Sequence, residues 1–352
     1  MTTTQSHAPA RVVIRAPNWL GDAVLALPAM TALRRRFPGA HLTVAAVPSV
    51  AALFREDTDV VPDAVLEVIG SSRAVVTALA RGQFDLGVLF PNSFRSAWQF
   101  WRAGIPSRWG YATSGRGLLL TTRSPKARGA MHQSDYYRTL VAGLGVPAGE
   151  AGPRLAPGAE SRARAGALLE EAHVAPNARL ICLAPGAAYG SAKQWPTDRM
   201  AALAARLIRE HDATCLIVGA GHDREAARAI ESWLRSNARD AASRAIDLVG
   251  RTSLGALIGI AARSDVFVSN DSGAMHVAAA LGRPVVAIFG PTNERATRPI
   301  GSTANIDVIT EHVFCRPCML RDCPIDHRCM KRITVDRVTE AVVRRLDAAA
   351  AS

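Results

Sequence analysis

Apolar runs of four to eight residues, rich in Val, Ile and Leu, alternate along this chain with stretches of helical periodicity, and nothing else in the sequence narrows its fold as much. A run that is apolar throughout has no solvent face, so it must be covered on both sides. Parallel sheets with helices on both faces meet that demand. In the first half the expected strands are 12–16, 42–47, 64–68 and 84–90, with helices at 23–37, 74–81 and 133–143. The stretch VPAGEAGPRLAPGA, 146–159, is rich in Pro and Gly and lacks periodicity, and it reads as a linker. The alternation then restarts, with strands at 180–184, 214–218, 245–249, 265–269 and 284–289 and helices at 198–210, 224–234, 254–262 and 273–281. The expectation is two doubly wound α/β domains, 1–155 and 156–352, facing a cleft where a ligand would sit. A last amphipathic helix, 335–350, needs cover for Val338, Val342 and Leu346, and the first domain is the expected partner.

Length and composition agree with this reading. At 352 residues, 49% apolar and 20% charged, the chain suits two globular cores. The first residues carry no apolar stretch behind a basic start, and no run approaches the roughly 18 apolar residues of a membrane span, so a cytoplasmic protein is expected. Lys and Arg outnumber Asp and Glu by 42 to 30, giving +12 and favouring anionic partners. The basic residues are scattered singly through helices, which does not indicate nucleic acid. Nearly all are Arg, Lys standing only at 126, 193 and 331.

Three polar stretches follow apolar strands, where free backbone N–H groups and helix dipoles gather ligands in open parallel sheets. SNDSGAMH, 269–276, places Asp271 where an N-cap belongs, Gly273 where a ligand can approach the backbone, and His276 one turn into the helix. APGAAYGSAKQWP, 184–196, combines small residues, backbone amides and Lys193, a set suited to a diphosphate that must be neutralised as it leaves. It should face the same crevice as Asp271. APNWLGDAVLALPAM, 16–30, brings Asp22 into a helix start, where a carboxylate takes a proton from an attacking hydroxyl if its pKa is raised toward the working range. For Asp22, and for Asp271 with Ser272, plain helix capping is the competing reading. A dinucleotide fingerprint fails at Arg224, where the third glycine after Gly219 and Gly221 belongs, and there is no Walker loop. Cys315, Cys318, Cys323 and Cys329, spaced C-x2-C-x4-C-x5-C, are a candidate structural zinc site or else packed free thiols, and carry no catalysis.

On NWLGDAVLALPAM at 18–30, FPNSFRSAW and AGIPSRWGY within 90–111, APGAAYGSAKQWP at 184–196 and SNDSGAMHVAAALGRPVVAIFGPT at 269–292, the sequence resembles the ADP-heptose:lipopolysaccharide heptosyltransferases, glycosyltransferase family 9, and most closely the heptosyltransferase II branch. The resemblance runs through nearly the whole chain. It implies a GT-B fold, with the acceptor on the N-terminal domain and the nucleotide on the C-terminal one. It implies inverting transfer of L-glycero-D-manno-heptose from ADP-heptose to the first heptose of the inner core, heptosyl-Kdo2-lipid A, without a metal or other cofactor. Asp22 matches the proposed general base, Lys193 the phosphate-binding lysine, and Asp271, Ser272, Gly273 and His276 the donor motif. Either Asp223 or Glu225 matches the acidic group on the ribose. Asn92, Ser93 and Arg95 fall on the acceptor side, where an Arg pairs with phosphate or carboxylate. Ala188 stands where many members carry an acidic residue. A monomer working on a lipid acceptor at the inner leaflet, with peripheral contact to the cytoplasmic membrane face, is the implied setting. Competing readings are a two-domain enzyme for another nucleotide sugar, such as a different heptosyltransferase or an epimerase, and a basic scaffold without activity.

Overall fold

The computed structural model describes residues 8–149, 151–301 and 305–350. The chain divides into two compact units at Pro153 and Arg154. Six strands of the first unit are labelled β1 (Arg11–Arg15), β2 (His41–Ala46), β3 (Ala64–Glu67), β4 (Leu86–Leu89), β5 (Ser107–Tyr111) and β6 (Thr122–Ser124). They form one sheet in the order β3-β2-β1-β4-β5-β6, parallel throughout. Its main helices are α1 (Leu20–Arg36), α2 (Ser72–Arg81), α3 (Phe94–Arg102) and α4 (Gln133–Ala142). Val13, Ala45, Leu79, Phe84 and Phe100 belong to one buried cluster of this unit.

The second unit repeats the plan. Strands β7 (Arg179–Ala184), β8 (Ala213–Ile217), β9 (Ala245–Asp247), β10 (Val266–Asn270), β11 (Val285–Phe289) and β12 (Ile306–Thr310) pair in the order β9-β8-β7-β10-β11-β12, again all parallel. The helices that matter below are α5 (Ala159–Glu171), α6 (Thr197–His211), α7 (Arg224–Asn237), α8 (Leu254–Arg263), α9 (Gly273–Ala280) and α10 (Val335–Ala350). In each sheet the strand order reverses next to the first strand, between β1 and β4 and between β7 and β10. Crossovers leave in opposite directions there and open a crevice at the carboxyl ends of those strands.

Several elements depart from the sequence reading, each for a physical reason. The half-buried strands β5 and β6, the outer two on one side of the sheet, contain no continuous apolar run, so their sequence carries no strand signal. Helix α5 begins inside the segment read as linker, and it buries only Ser161, Ala165 and Leu169 along its length. The apolar face of α10 finds its cover within the second unit: Val338, Ala341, Val342 and Leu346 join the cluster that holds Leu203 and Leu207 of α6. Full burial of each such valine stabilises by about 1.5–3 kcal/mol relative to exposure, enough to fix the helix there.

Candidate active site

The loop between β1 and α1 carries the first candidate residue. Asp22 is half-buried in the first turn of α1, whose N-cap, Trp19, offers no side-chain cap. The uncapped N–H groups and the helix dipole favour the ionised carboxylate there. Tyr137, on α4, is bonded through its hydroxyl to Asp22, and Gln133 also bonds to it. Burial first, and then the negative charge of Asp22, hold the Tyr137 phenol well above its ordinary range, so it stays a donor. Below the loop Arg15 is buried at the end of β1, donating to the carbonyls of Ala16 at 2.7 Å and Ala45 at 3.3 Å and to Asn18 Oδ1 at 2.7 Å. Its burial lowers the guanidinium to about 10, still cationic at neutral pH.

The loop after β4, on the other side of the same switch point, holds the three acceptor candidates, and they have different surroundings. Asn92 has both ends of its amide engaged, Nδ2 donating to the Tyr136 hydroxyl at 2.7 Å and Oδ1 accepting from Arg116 at 3.3 Å. Ser93 is the N-cap of α3, its hydroxyl accepting from Ser96 N at 3.2 Å. Arg95 is exposed, leaving its guanidinium in reach of a ligand. Arg116, which sequence reasoning did not single out, is fully buried and donates to the carbonyls of Pro91 and Tyr111. It anchors the loop that presents Asn92 to Arg95.

In the second unit the loops after β7 and β10 meet. Lys193 Nζ lies 2.6 Å from Asp271 Oδ2, and the side chains are only 12% and 6% exposed. Thr292, after β11, donates to the same carboxylate oxygen at 2.6 Å. Asn270, wholly buried at the end of β10, ties the lysine loop down: its Oδ1 accepts from Trp195 N at 3.1 Å and its Nδ2 donates to Pro185 O at 2.6 Å. Neither Asn270 nor Thr292 was assigned from sequence, although a buried Asn closing an apolar strand was a visible signal.

The expected cap by Asp271 is not made. The N-cap of α9 is Ser272 and no side chain caps the helix, because Asp271 is engaged by Lys193 and Thr292, and the Ser272 hydroxyl lies 3.0 Å from that of Ser269. The helix therefore opens at Gly273 with backbone donors that no side chain caps, beside the lysine. His276 is buried one turn further on. An anion at this start would meet N–H groups, the dipole and an ammonium together.

Asp223 and Glu225 separate clearly. Asp223 is buried against two glycines, since a Cβ built on Gly186 or Gly219 would fall 2.1 or 2.8 Å from its carboxylate. Burial raises its pKa, opposed by His222, whose Nε2 lies 3.4 Å away, and by the bond from Ala220 N at 2.9 Å. Glu225 is exposed on α7. Asp223 thus stands at the ends of β7 and β8.

In the four-cysteine segment, as elsewhere among the described residues, no group of three or more His, Cys, Asp or Glu is disposed to hold an ion. Cys329 is buried, and burial followed by the neighbouring thiols pushes its pKa up. Cys182 and Cys215 are core residues pushed up to about 12. What the segment does is back the lysine loop. Met319 O accepts from the Tyr189 hydroxyl at 2.8 Å, Asp322 from the Ser191 hydroxyl at 2.8 Å and Arg321 O from Ala192 N at 2.9 Å. Gly190 is required there, because a Cβ on it would lie 2.3 Å from Arg321 O.

A sheet of this order, built twice in one chain with polar loops at both switch points, is the architecture of the GT-B enzymes. The chain belongs to glycosyltransferase family 9 (heptosyltransferase), whose model matches residues 72–328, and it is a glycosyltransferase. It is 32% identical over 310 residues to the lipooligosaccharide heptosyltransferase 2 of Haemophilus ducreyi, covering 84% of this chain and 88% of that protein. It is 31% identical to the lipopolysaccharide heptosyltransferase 2 of Salmonella typhimurium, over 84% of this chain and 87% of that one. Among solved structures, the E. coli ADP-heptose lps heptosyltransferase II superposes with a TM-score of 0.81 at 25% identity, covering 96% of this chain and 99% of the other.

Proposed function

We propose that this protein transfers L-glycero-D-manno-heptose from ADP-heptose to the first heptose of the lipopolysaccharide inner core, with inversion at the anomeric carbon and without a metal. The observation that carries the reading is the buried Lys193–Asp271 pair beside the uncapped start of α9, a site built for a phosphate group. The names of the relatives supply the sugar and the lipid class.

In this mechanism Asp22 takes the proton from the acceptor hydroxyl as its oxygen attacks the anomeric carbon. The bond from that carbon to the diphosphate oxygen breaks on the opposite face, and ADP leaves with the electron pair. Tyr137 orients the carboxylate by its hydrogen bond. Lys193, Gly273 and the α9 N-terminus receive the charge that develops on the leaving group, and because they are fixed beforehand, little reorganisation is needed. Asp271 sets the place of Lys193, and Ser272 and His276 line the same helix start. Asp223 is favoured over Glu225 for the ribose hydroxyls, because it is the one at the strand ends. On the acceptor side Arg95 pairs with an anionic group, while Asn92 and Ser93 hold the loop. The acceptor lies at the inner leaflet, reached by a monomer in peripheral contact with the membrane.

Calorimetric titration with nucleotides tests the donor assignment. ADP is expected to bind the wild-type protein, and Lys193→Ala to weaken it by roughly tenfold or more, the scale of one lost charge-assisted contact. Equal ADP affinity in the variant would remove Lys193 from the site.

A further inference from the structure

We propose that Arg321 is a second cation for the diphosphate of the donor, carried into the site by the cysteine-bearing segment 315–329. The proposal rests on the ADP-donor reading above and adds a residue to it.

Charge is the starting point. A nucleoside diphosphate brings several negative charges, and more develops on its terminal phosphate as the glycosyl bond breaks. The ammonium of Lys193 is already offset by Asp271 at 2.6 Å. With only these groups the side chains present no net positive charge to the diphosphate, and the backbone donors of α9 contribute only partial charges. A further cation is needed.

Arg321 is placed to supply it. Tyr189 presents one ring to both cations, with Lys193 Nζ 4.6 Å from its centroid and Arg321 Cζ 5.2 Å from it. Arg321 is exposed and makes no ion pair among the described residues, and the carboxylate next to it in sequence, Asp322, accepts from the Ser191 hydroxyl without pairing with the guanidinium. Two cations sharing one aromatic ring repel each other, and an anion reaching both relieves that repulsion. The position is also fixed in advance. The carbonyl of Arg321 accepts from Ala192 N, and on either side Met319 and Asp322 bond to Tyr189 and Ser191. The backbone contact leaves the guanidinium itself free to pair with phosphate in a bidentate manner.

The experiment is titration of the purified full chain with ADP and with adenosine, for the wild type, Arg321→Gln and Arg321→Lys. Because the contact to the lysine loop is through the carbonyl, replacing the side chain leaves that hydrogen bond in place. Arg321→Gln is expected to weaken ADP by about tenfold while leaving adenosine within about twofold, with Arg321→Lys recovering part of the loss. Unchanged ADP affinity in Arg321→Gln would overturn the proposal. So would a parallel loss for ADP and adenosine, which would mean that the side chain supports the loop and does not touch phosphate. A wild-type protein that fails to bind ADP at all would instead fail the donor reading, so the two outcomes are separable.

Discussion

A carboxylate works as a base only when it is ionised, oriented and within reach of the proton, and in the role proposed for Asp22 the hydrogen bond from Tyr137 serves the second requirement. Asp22→Asn keeps the shape and the hydrogen bond from Tyr137 but cannot accept a proton. It is expected to lower turnover by roughly a hundredfold or more with ADP affinity unchanged, and turnover equal to wild type would remove the role. Asp223 gives a pH signature. Its pKa is raised by burial, so on acidification it takes up a proton at a higher pH than an ordinary carboxyl does. ADP affinity should therefore be full where Asp223 is ionised and should begin to fall as pH drops through that raised value. Asp223→Asn should be weaker at neutral pH and should lack this acid limb, as titrations across a pH series would reveal. At this scale Lys193 and Asp271 were legible because a rare lysine and a polar strand end stand out from their surroundings, and the structure joins them. Tyr137, Thr292 and Arg116 were not, because their contacts are made across the chain by side chains that look like ordinary helix or loop residues.

Elements were legible where they are continuous and buried. Strands β1, β2, β7, β8, β10 and β11 are runs of apolar residues with almost no exposed position, and that is why periodicity located them. Helix α5 was missed because its buried stripe is narrow, made of Ser161, Ala165 and Leu169, and only the last carries a strong hydropathy signal. Its packing depends on a glycine. A Cβ on Gly259 of α8 would fall 2.3 Å from the Ser161 carbonyl and 2.7 Å from the Ala165 methyl, so the two helices meet there almost backbone to backbone. Gly259→Ala is expected to lower stability by about 1–3 kcal/mol, despite the better helix propensity of alanine, because α5 must move away. The denaturant midpoint measures it, and an unchanged or raised midpoint would show that the contact yields without cost. The expected cap by Asp271 also belongs here. A sequence shows which residue type stands before a helix, but not that a lysine 78 positions earlier and a threonine beyond the next strand will take its carboxylate first.

For the whole molecule, two sheets of identical strand order put one candidate centre at each switch point, and that duplication was readable from the alternation before any coordinate. The charge of +12 belongs to this scale as well. No helix among the described residues is long and apolar enough to cross a membrane, and the peripheral contact proposed above is argued from the positive charge alone. Binding to vesicles containing anionic phospholipid is expected at low ionic strength and should be lost near 1 M salt, where the screening length falls to about 3 Å. Co-sedimentation measures it, and binding that persists at high salt would point to an apolar contact instead. The account as a whole stands on the coupling of the two centres in one reaction. Incubating the protein with ADP-heptose and heptosyl-Kdo2-lipid A, while following ADP release and acceptor mass together, tests that coupling most directly. ADP should appear in step with the gain of one heptose on the acceptor and only slowly without it; ADP-heptose left intact, or consumed without acceptor glycosylation, would contradict the account.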